Sequence, residues 1–209
     1  MPCRNGGVLC LMQLGNLIGN EPWYAGVHVA KSGRVLLTAE GESPRIPGLT
    51  SPRTHVRWIG GAQEAGETFV DCARREAREE LGCEVELLYP SATWLERTPG
   101  VHERTALVDQ PPPFIVQRYT TGEWVILYRA RLLGEPVPCD VKALLWVPVR
   151  VLDTLVDGLK LEQLTDLKIE VLGRVPPAPL LFIGRGGAED LLRDVGIEDD
   201  FNPNSGAPR

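Results

Sequence analysis

The chain has 209 residues, a formal net charge of −6, and 43% hydrophobic and 24% charged residues, which is ordinary composition for one well-cored globular domain with small extensions. The acidic balance argues against a polynucleotide partner held on a basic surface, and no apolar run approaches the roughly 20 residues needed to cross a bilayer. Five cysteines with no CxxC pair predict reduced thiols in a cytoplasm rather than a disulfide framework.

Residues 1–23 read as an N-terminal extension. The apolar run from Val8 to Leu14 is short, is interrupted by Gln13 and has no small-residue cleavage site after it, so it predicts an added strand rather than a secretory leader. From Tyr24 the pattern is that of a sheet: AGVHVA, a turn at Lys31-Ser32-Gly33, and RVLLTA predict a hairpin. Residues 40–52 are rich in Gly, Pro and Ser without periodicity and predict a loop, from which THVRWI leads out as a strand. His55 and Arg57 share a face of that strand and could meet phosphate.

The stretch from Gly60 to Cys83, GGAQEAGETFVDCARREAREELGC, is the most informative in the chain. Thr68 followed by Asp71 has the spacing of a capping box, so a helix should begin there, and Gly82 is placed to end it. At about 100° per residue, Val70, Ala73, Ala77 and Leu81 form an apolar stripe, and Glu76, Glu79 and Glu80 share an arc of roughly 100° beside it. Like charges at this spacing cost a helix roughly a few tenths of a kcal/mol each, so a cation is expected where the three carboxylates converge. Hard oxygen donors without His or Cys suit Mg²⁺ or Mn²⁺ rather than zinc.

Downstream, EVELLY predicts a strand, and residues 90–113, closed by Pro111 to Pro113, predict a loop. Phe114 to Tyr119 and Glu123 to Leu132 predict paired strands joined at Thr121-Gly122. GEPVPCDVKA leads to the strand LLWVPV, and Leu159 to Leu172 is helix-like. Beyond Pro176, LLFIG could add a strand and AEDLLRDVGI a short helix, while FNPNSGAPR has the composition of a disordered tail.

Gly61, Glu67, Arg75-Glu76, Glu79-Glu80 and Gly82, at these spacings, resemble the Nudix box in every specified polar and glycine position. Ile59 departs from the family, whose members often carry Pro there. The Gly134-Glu135-Pro136 turn before the Trp146-Val147-Pro148 strand extends the resemblance over about Tyr24 to Leu172. Resemblance to Nudix hydrolases implies an α/β fold, an α/β/α sandwich with a mixed central sheet, with the domain over 24–173 and a C-terminal extension over 174–209. It implies divalent-metal-assisted hydrolysis of a diphosphate that links a nucleoside to another group, so the partner is a small phosphorylated nucleotide. The implied metal ligands are Glu76, Glu79, Glu80 and the backbone carbonyl of Gly60, with Glu79 and Glu80 central to catalysis. Glu67 and Arg75 are expected to pair and brace the loop against the helix, and Gly61 and Gly82 to supply tight turns. A regulatory module that kept the fold without the reaction would be expected to lose box glutamates, and all are present here.

In ADP-ribose pyrophosphatases a proline lies about sixteen residues after the box, and Pro99 stands there as a substrate contact alongside Arg57. No coenzyme A, NADH-type or dinucleoside polyphosphate signature accompanies the box, so ADP-ribose or a nucleotide sugar is favoured, with nucleoside triphosphates next. ADP-ribose-type members are commonly homodimers that use an N-terminal extension, a role residues 1–23 could fill. In MutT-like members a glutamate lies between the Gly-Glu-Pro turn and the tryptophan strand; Asp140 occupies that place, one methylene shorter, as the expected water-activating carboxylate, with Glu135, Glu123 and Glu103 as alternatives.

Overall fold

The structure, a computed structural model, describes residues 12–42, 53–176 and 180–183. Helix α1 (Leu14–Ile18) leads into strand β1 (Trp23–Lys31), which turns back as β2 (Arg34–Glu42) with Ala30 opposite Val35. Both turn residues are left-handed, Ser32 at φ 53° and Gly33 at φ 69°, the combination whose twist matches that of the flanking strands. There follow β3 (Arg53–Arg57), β4 (Ile59–Ala62), helix α2 (Phe69–Leu81), β5 (Val85–Leu87), β6 (Thr93–Thr98), β7 (Val101–Thr105), β8 (Ile115–Arg118), β9 (Trp124–Leu132), β10 (Ala143–Pro148), helix α3 (Leu152–Asp157), β11 (Glu170–Gly173) and β12 (Leu180–Ile183).

The strands form one mixed sheet in the order β11-β10-β2-β1-β9-β8-β6-β7. β1 runs parallel to β9, β6 to β8 and β3 to β12; the other pairs are antiparallel. Alternation along the strands sends side chains into two separate cores, as a sheet covered on both faces requires. Val27, Val29, Leu36, Ile126 and Leu144 pack with Ala73, Ala77 and Leu81 of α2. Val35, Leu37, Leu127 and Leu145 pack on the other side with Leu152 and Leu155 of α3. The expected α/β/α sandwich is therefore the fold. Among the described residues no helix is long and apolar enough to cross a membrane.

Several local expectations need correction. The described end of the 8–14 run is a bridge from Met12 to Leu107 followed by a helix, not a strand. β2 continues to Glu42, past the predicted start of the loop; residues 43–52 lie outside the described residues, as do the predicted helix AEDLLRDVGI and the tail. The predicted loop 90–113 contains the β6–β7 hairpin, with Thr98 opposite Val101. β7 lies at the end of the sheet and is polar on both faces, which removes the period-2 signal. Residues 159–172 do not form a helix. Leu161–Gln163 make one 3₁₀ turn, Lys168 takes φ 59°, and the chain returns as β11 on β10. The helix-like spacing of Leu161, Leu164 and Leu167 serves instead to pack that turn on the second core.

Candidate active site

Helix α2 starts and stops where its sequence dictates. Thr68 Oγ1 accepts a hydrogen bond from the Asp71 N–H at 3.1 Å, and Gly82, left-handed at φ 62°, donates its N–H to Arg78 O at 3.0 Å. The loop before β10 then covers the helix end. Val137, Cys139 and Asp140 donate backbone N–H groups to the terminal carbonyls of Leu81, Glu80 and Glu79 at 2.8, 3.3 and 3.0 Å, satisfying groups that a helix cannot satisfy internally. Asp140 is thus held by its backbone beside Glu79, with Glu135 exposed on the same loop.

Around the first half of α2 the organising group is Arg75. Its Nε donates to Glu67 Oε1 at 2.7 Å and its Nη2 to Glu67 Oε2 at 3.1 Å and Ala62 O at 3.0 Å. Its Nη1 donates to Glu76 Oε1 at 2.7 Å and Glu79 Oε2 at 2.8 Å. The bidentate pair brings Glu67 and Arg75 together across the loop, and the Arg75 hydrogen bonds draw the Glu67 carboxyl down to about 2. Burial raises the Glu76 pKa against the opposing pull of Arg75. Gly61 makes room for that carboxylate, since a Cβ there would lie 2.2 Å from Glu76 Oε1.

A second guanidinium organises the other end. Gly60 faces Gly26 of β1, and a Cβ on Gly26 would lie 2.0 Å from Ile59 O, so β1 and β4 approach at a distance only glycine allows. This brings the Gly60 N–H to Glu80 Oε2 at 3.0 Å. Arg57 Nη1 donates to Gly60 O, while its Nη2 donates to Glu40 Oε1 and, at 2.7 Å, to Glu80 Oε1. Glu80 is 3% exposed, and burial pushes its carboxyl up to about 8 although Arg57 and the Gly60 N–H pull the other way. For Arg57, burial works against the charge, but Glu40, Glu80 and Glu76 outweigh it and raise the pKa.

The structure thus brings Gly60, Gly61, Glu67, Arg75, Glu76, Glu79, Glu80 and Arg57 onto one connected surface of β3, β4 and α2. Two arginines share the three carboxylates of that surface: Arg75 takes Glu76 and Glu79, and Arg57 takes Glu80. With these pairs made, no group of three or more acidic, His or Cys side chains among the described residues converges on one point. Glu40 joins through β2, a residue the sequence placed in a loop; the continued run RVLLTAEGE was the available signal.

Pro99 stands in the exposed β6–β7 turn, on a hairpin joined to β4 through β8, β9 and β1. That turn is tied to the sheet by buried Glu96, which no sequence pattern marks and which accepts from Gly100 N at 2.6 Å and Gln117 Nε2 at 2.7 Å, with His102 Nε2 at 3.4 Å. Glu103 on β7 pairs with Arg97 at 3.6 Å, and Glu123 sits before β9, where a Thr121 hydrogen bond lowers its pKa.

Comparison with known proteins places this geometry in a family. The NUDIX domain model matches residues 24–166. No curated protein matches the chain. Among solved structures, a NUDIX hydrolase from Nitrosomonas europaea is 20% identical over 57% of this chain and 52% of its own, with a TM-score of 0.37; the chain thus spans about half of that protein's length. A NUDIX-family hydrolase from Clostridium perfringens is 18% identical over 64% of this chain and 85% of its own, with a TM-score of 0.43. An ADP-ribose pyrophosphatase from Streptococcus suis is 20% identical over 60% and 72%, with a TM-score of 0.34. With more than half of its length matched by the family model and every specified box residue in place, the chain belongs to the NUDIX family.

Proposed function

We propose that this protein hydrolyses the diphosphate bond of a nucleoside diphosphate linked to another group, ADP-ribose or a nucleotide sugar being the favoured substrate, in a reaction that depends on Mg²⁺ or Mn²⁺. The observation that carries the metal reading is the meeting of Gly60 O and Glu80 on a cationic group, beside Glu76 lodged in the space left by Gly61. These donors are hard oxygens, the set that suits a hard divalent ion. Gly60 O, Glu76, Glu79 and Glu80 would hold it. Once bound, such an ion neutralises the phosphate oxygens and lowers the pKa of water.

The remaining roles fall to the chain's own groups. Glu67 and Arg75 hold the loop before α2 against the helix, so that Gly60 O and Glu76 stay in place. Asp140, carried by the loop bonded to the end of α2, is the proposed acceptor of the proton from the attacking water. Pro99 and Arg57 are the proposed substrate contacts. The domain is proposed to span 24–173, flanked by extensions at 1–23 and 174–209, in a cytoplasmic protein that forms a homodimer through residues 1–23; light scattering of the full chain and of a chain lacking that segment tests the dimer.

Product release from a panel of ADP-ribose, nucleotide sugars and nucleoside triphosphates, with and without Mg²⁺ or Mn²⁺, tests the function. Metal-dependent cleavage of ADP-ribose with release of a nucleoside monophosphate is the expected result. Faster cleavage of deoxynucleoside triphosphates would move the substrate to the second reading, and turnover undiminished by chelator would overturn the metal reading. Asp140→Asn should lower kcat by about 10²-fold with unchanged stability; near-normal kcat in that variant with an inactive Glu135 or Glu103 variant would transfer the role.

A further inference from the structure

The Arg57 guanidinium collects three oxygen acceptors: Gly60 O, Glu80 Oε1 and Glu40 Oε1. Two of them, the carbonyl and Glu80, are atoms to which the proposed function gives a divalent cation. Glu80 is buried, and a buried carboxylate without a cation is costly, so some positive group must accompany it. A guanidinium and a divalent ion cannot share the same two oxygens, because each lone pair faces one partner and the two cations repel at contact distance. Glu40 differs from the other two acceptors. It comes from β2, it is not part of the box, and its side chain is 40% exposed, so it can remain with Arg57 when the other contacts break.

We infer that Arg57 is a resident cation of the metal site: its guanidinium competes with the divalent ion for Gly60 O and Glu80 and must leave them when the ion enters, while Glu40 retains it at the edge of the site. The inference rests on the proposed metal dependence and adds a determinant of metal affinity that lies outside the box. Binding of the ion and docking of Arg57 are linked and mutually antagonistic, so each weakens the other by the same factor. Removing the internal competitor raises the population of the binding-competent state and tightens the apparent affinity. A displaced Arg57, still held by Glu40, would then present its free donors toward the phosphates of the substrate.

The test measures Mn²⁺ binding to the purified full-length protein without substrate, by the electron paramagnetic resonance signal of free Mn²⁺, in the wild type, Arg57→Gln, Arg57→Lys, Glu40→Gln and Glu80→Gln. Arg57→Gln is expected to bind Mn²⁺ about tenfold more tightly than the wild type, within the usual range of coupling between sites. Arg57→Lys, which keeps the charge, should stay near the wild type. Glu40→Gln should also tighten binding, by a smaller factor, because it loosens Arg57; this readout stands even if Arg57→Gln fails to fold. In parallel, ¹⁵N spectra of the wild type should show the Arg57 guanidinium resonance moving as Mg²⁺ is added. Unchanged or weaker Mn²⁺ binding in both Arg57→Gln and Glu40→Gln, or an Arg57 resonance indifferent to saturating Mg²⁺, overturns the inference while leaving the metal reading intact. A wild type that binds no Mn²⁺ at all, indistinguishable from Glu80→Gln, overturns both.

Discussion

Gly61 is the clearest case of a residue fixed by its neighbour. A methyl group there would sit 2.2 Å from Glu76 Oε1, so Gly61→Ala must push the Glu76 carboxylate aside. A displacement of about 1 Å at a reacting centre can cost about 10²-fold in rate, and kcat of Gly61→Ala should fall by that order while the circular dichroism spectrum is kept. Glu67 gives a pH signature. Its folded pKa of about 2 lies below the ordinary carboxylate value because Arg75 favours the charged form, so it binds fewer protons folded than unfolded. Its stabilisation is therefore full above the unfolded pKa of about 4.5 and is lost as pH falls toward about 2. Urea denaturation of Glu67→Gln should show a deficit relative to the wild type at pH 7 that shrinks steadily as the pH is lowered through that window; a deficit equal at pH 7 and pH 3 would show that the pair contributes through shape and not charge.

At the scale of elements, the end of α2 and the loop before β10 act as one unit. Gly82 holds a left-handed φ of 62°, and a Cβ there would meet Cys139 Sγ at 2.8 Å. Gly82→Ala should cost about 1–2 kcal/mol from backbone strain alone, read as a lower urea midpoint with an unchanged m-value, and should weaken protection of the Val137, Cys139 and Asp140 amides. The limits of α2 were legible because caps are local: Thr68, Asp71 and Gly82 act within a few residues of themselves. The first hairpin and the β8–β9 pair were legible for the same reason. The β6–β7 hairpin was not, because an edge strand with polar residues on both faces carries no alternation. The returning strand β11 was not legible either, because Leu161, Leu164 and Leu167 have helical spacing in a segment whose course is decided by pairing with β10. In the site, the Glu67–Arg75 contact could be expected from its place in the box. The capture of Glu80 by an Arg57 that also holds Glu40 could not, since it depends on β2 and β3 lying side by side with Thr38 opposite Arg57.

For the whole molecule, β12 shows how late chain completes early structure. It runs parallel to β3, with Leu181 fully buried opposite Thr54 and exchanging backbone hydrogen bonds of 2.7 Å with Leu159. Leu181→Ala leaves a cavity in the second core and should cost about 2–5 kcal/mol, a fall in Tm of roughly 4–20 °C for a chain of this size, measured by calorimetry. β1 has a different place in the architecture. One of its edges is shared, with Tyr24 to Val27 paired to β4 and Ala30 and Lys31 paired to β2. The sheet therefore forks at that edge of β1: β4 leaves from its first half and β2, with β3 beside it, from its second. Arg57 stands on β3 and grips Gly60 of β4 and Glu80 of α2. The same hydrogen bonds that neutralise a buried carboxylate are thus a rivet through the fork, tying both branches of the sheet to the helix that packs on them.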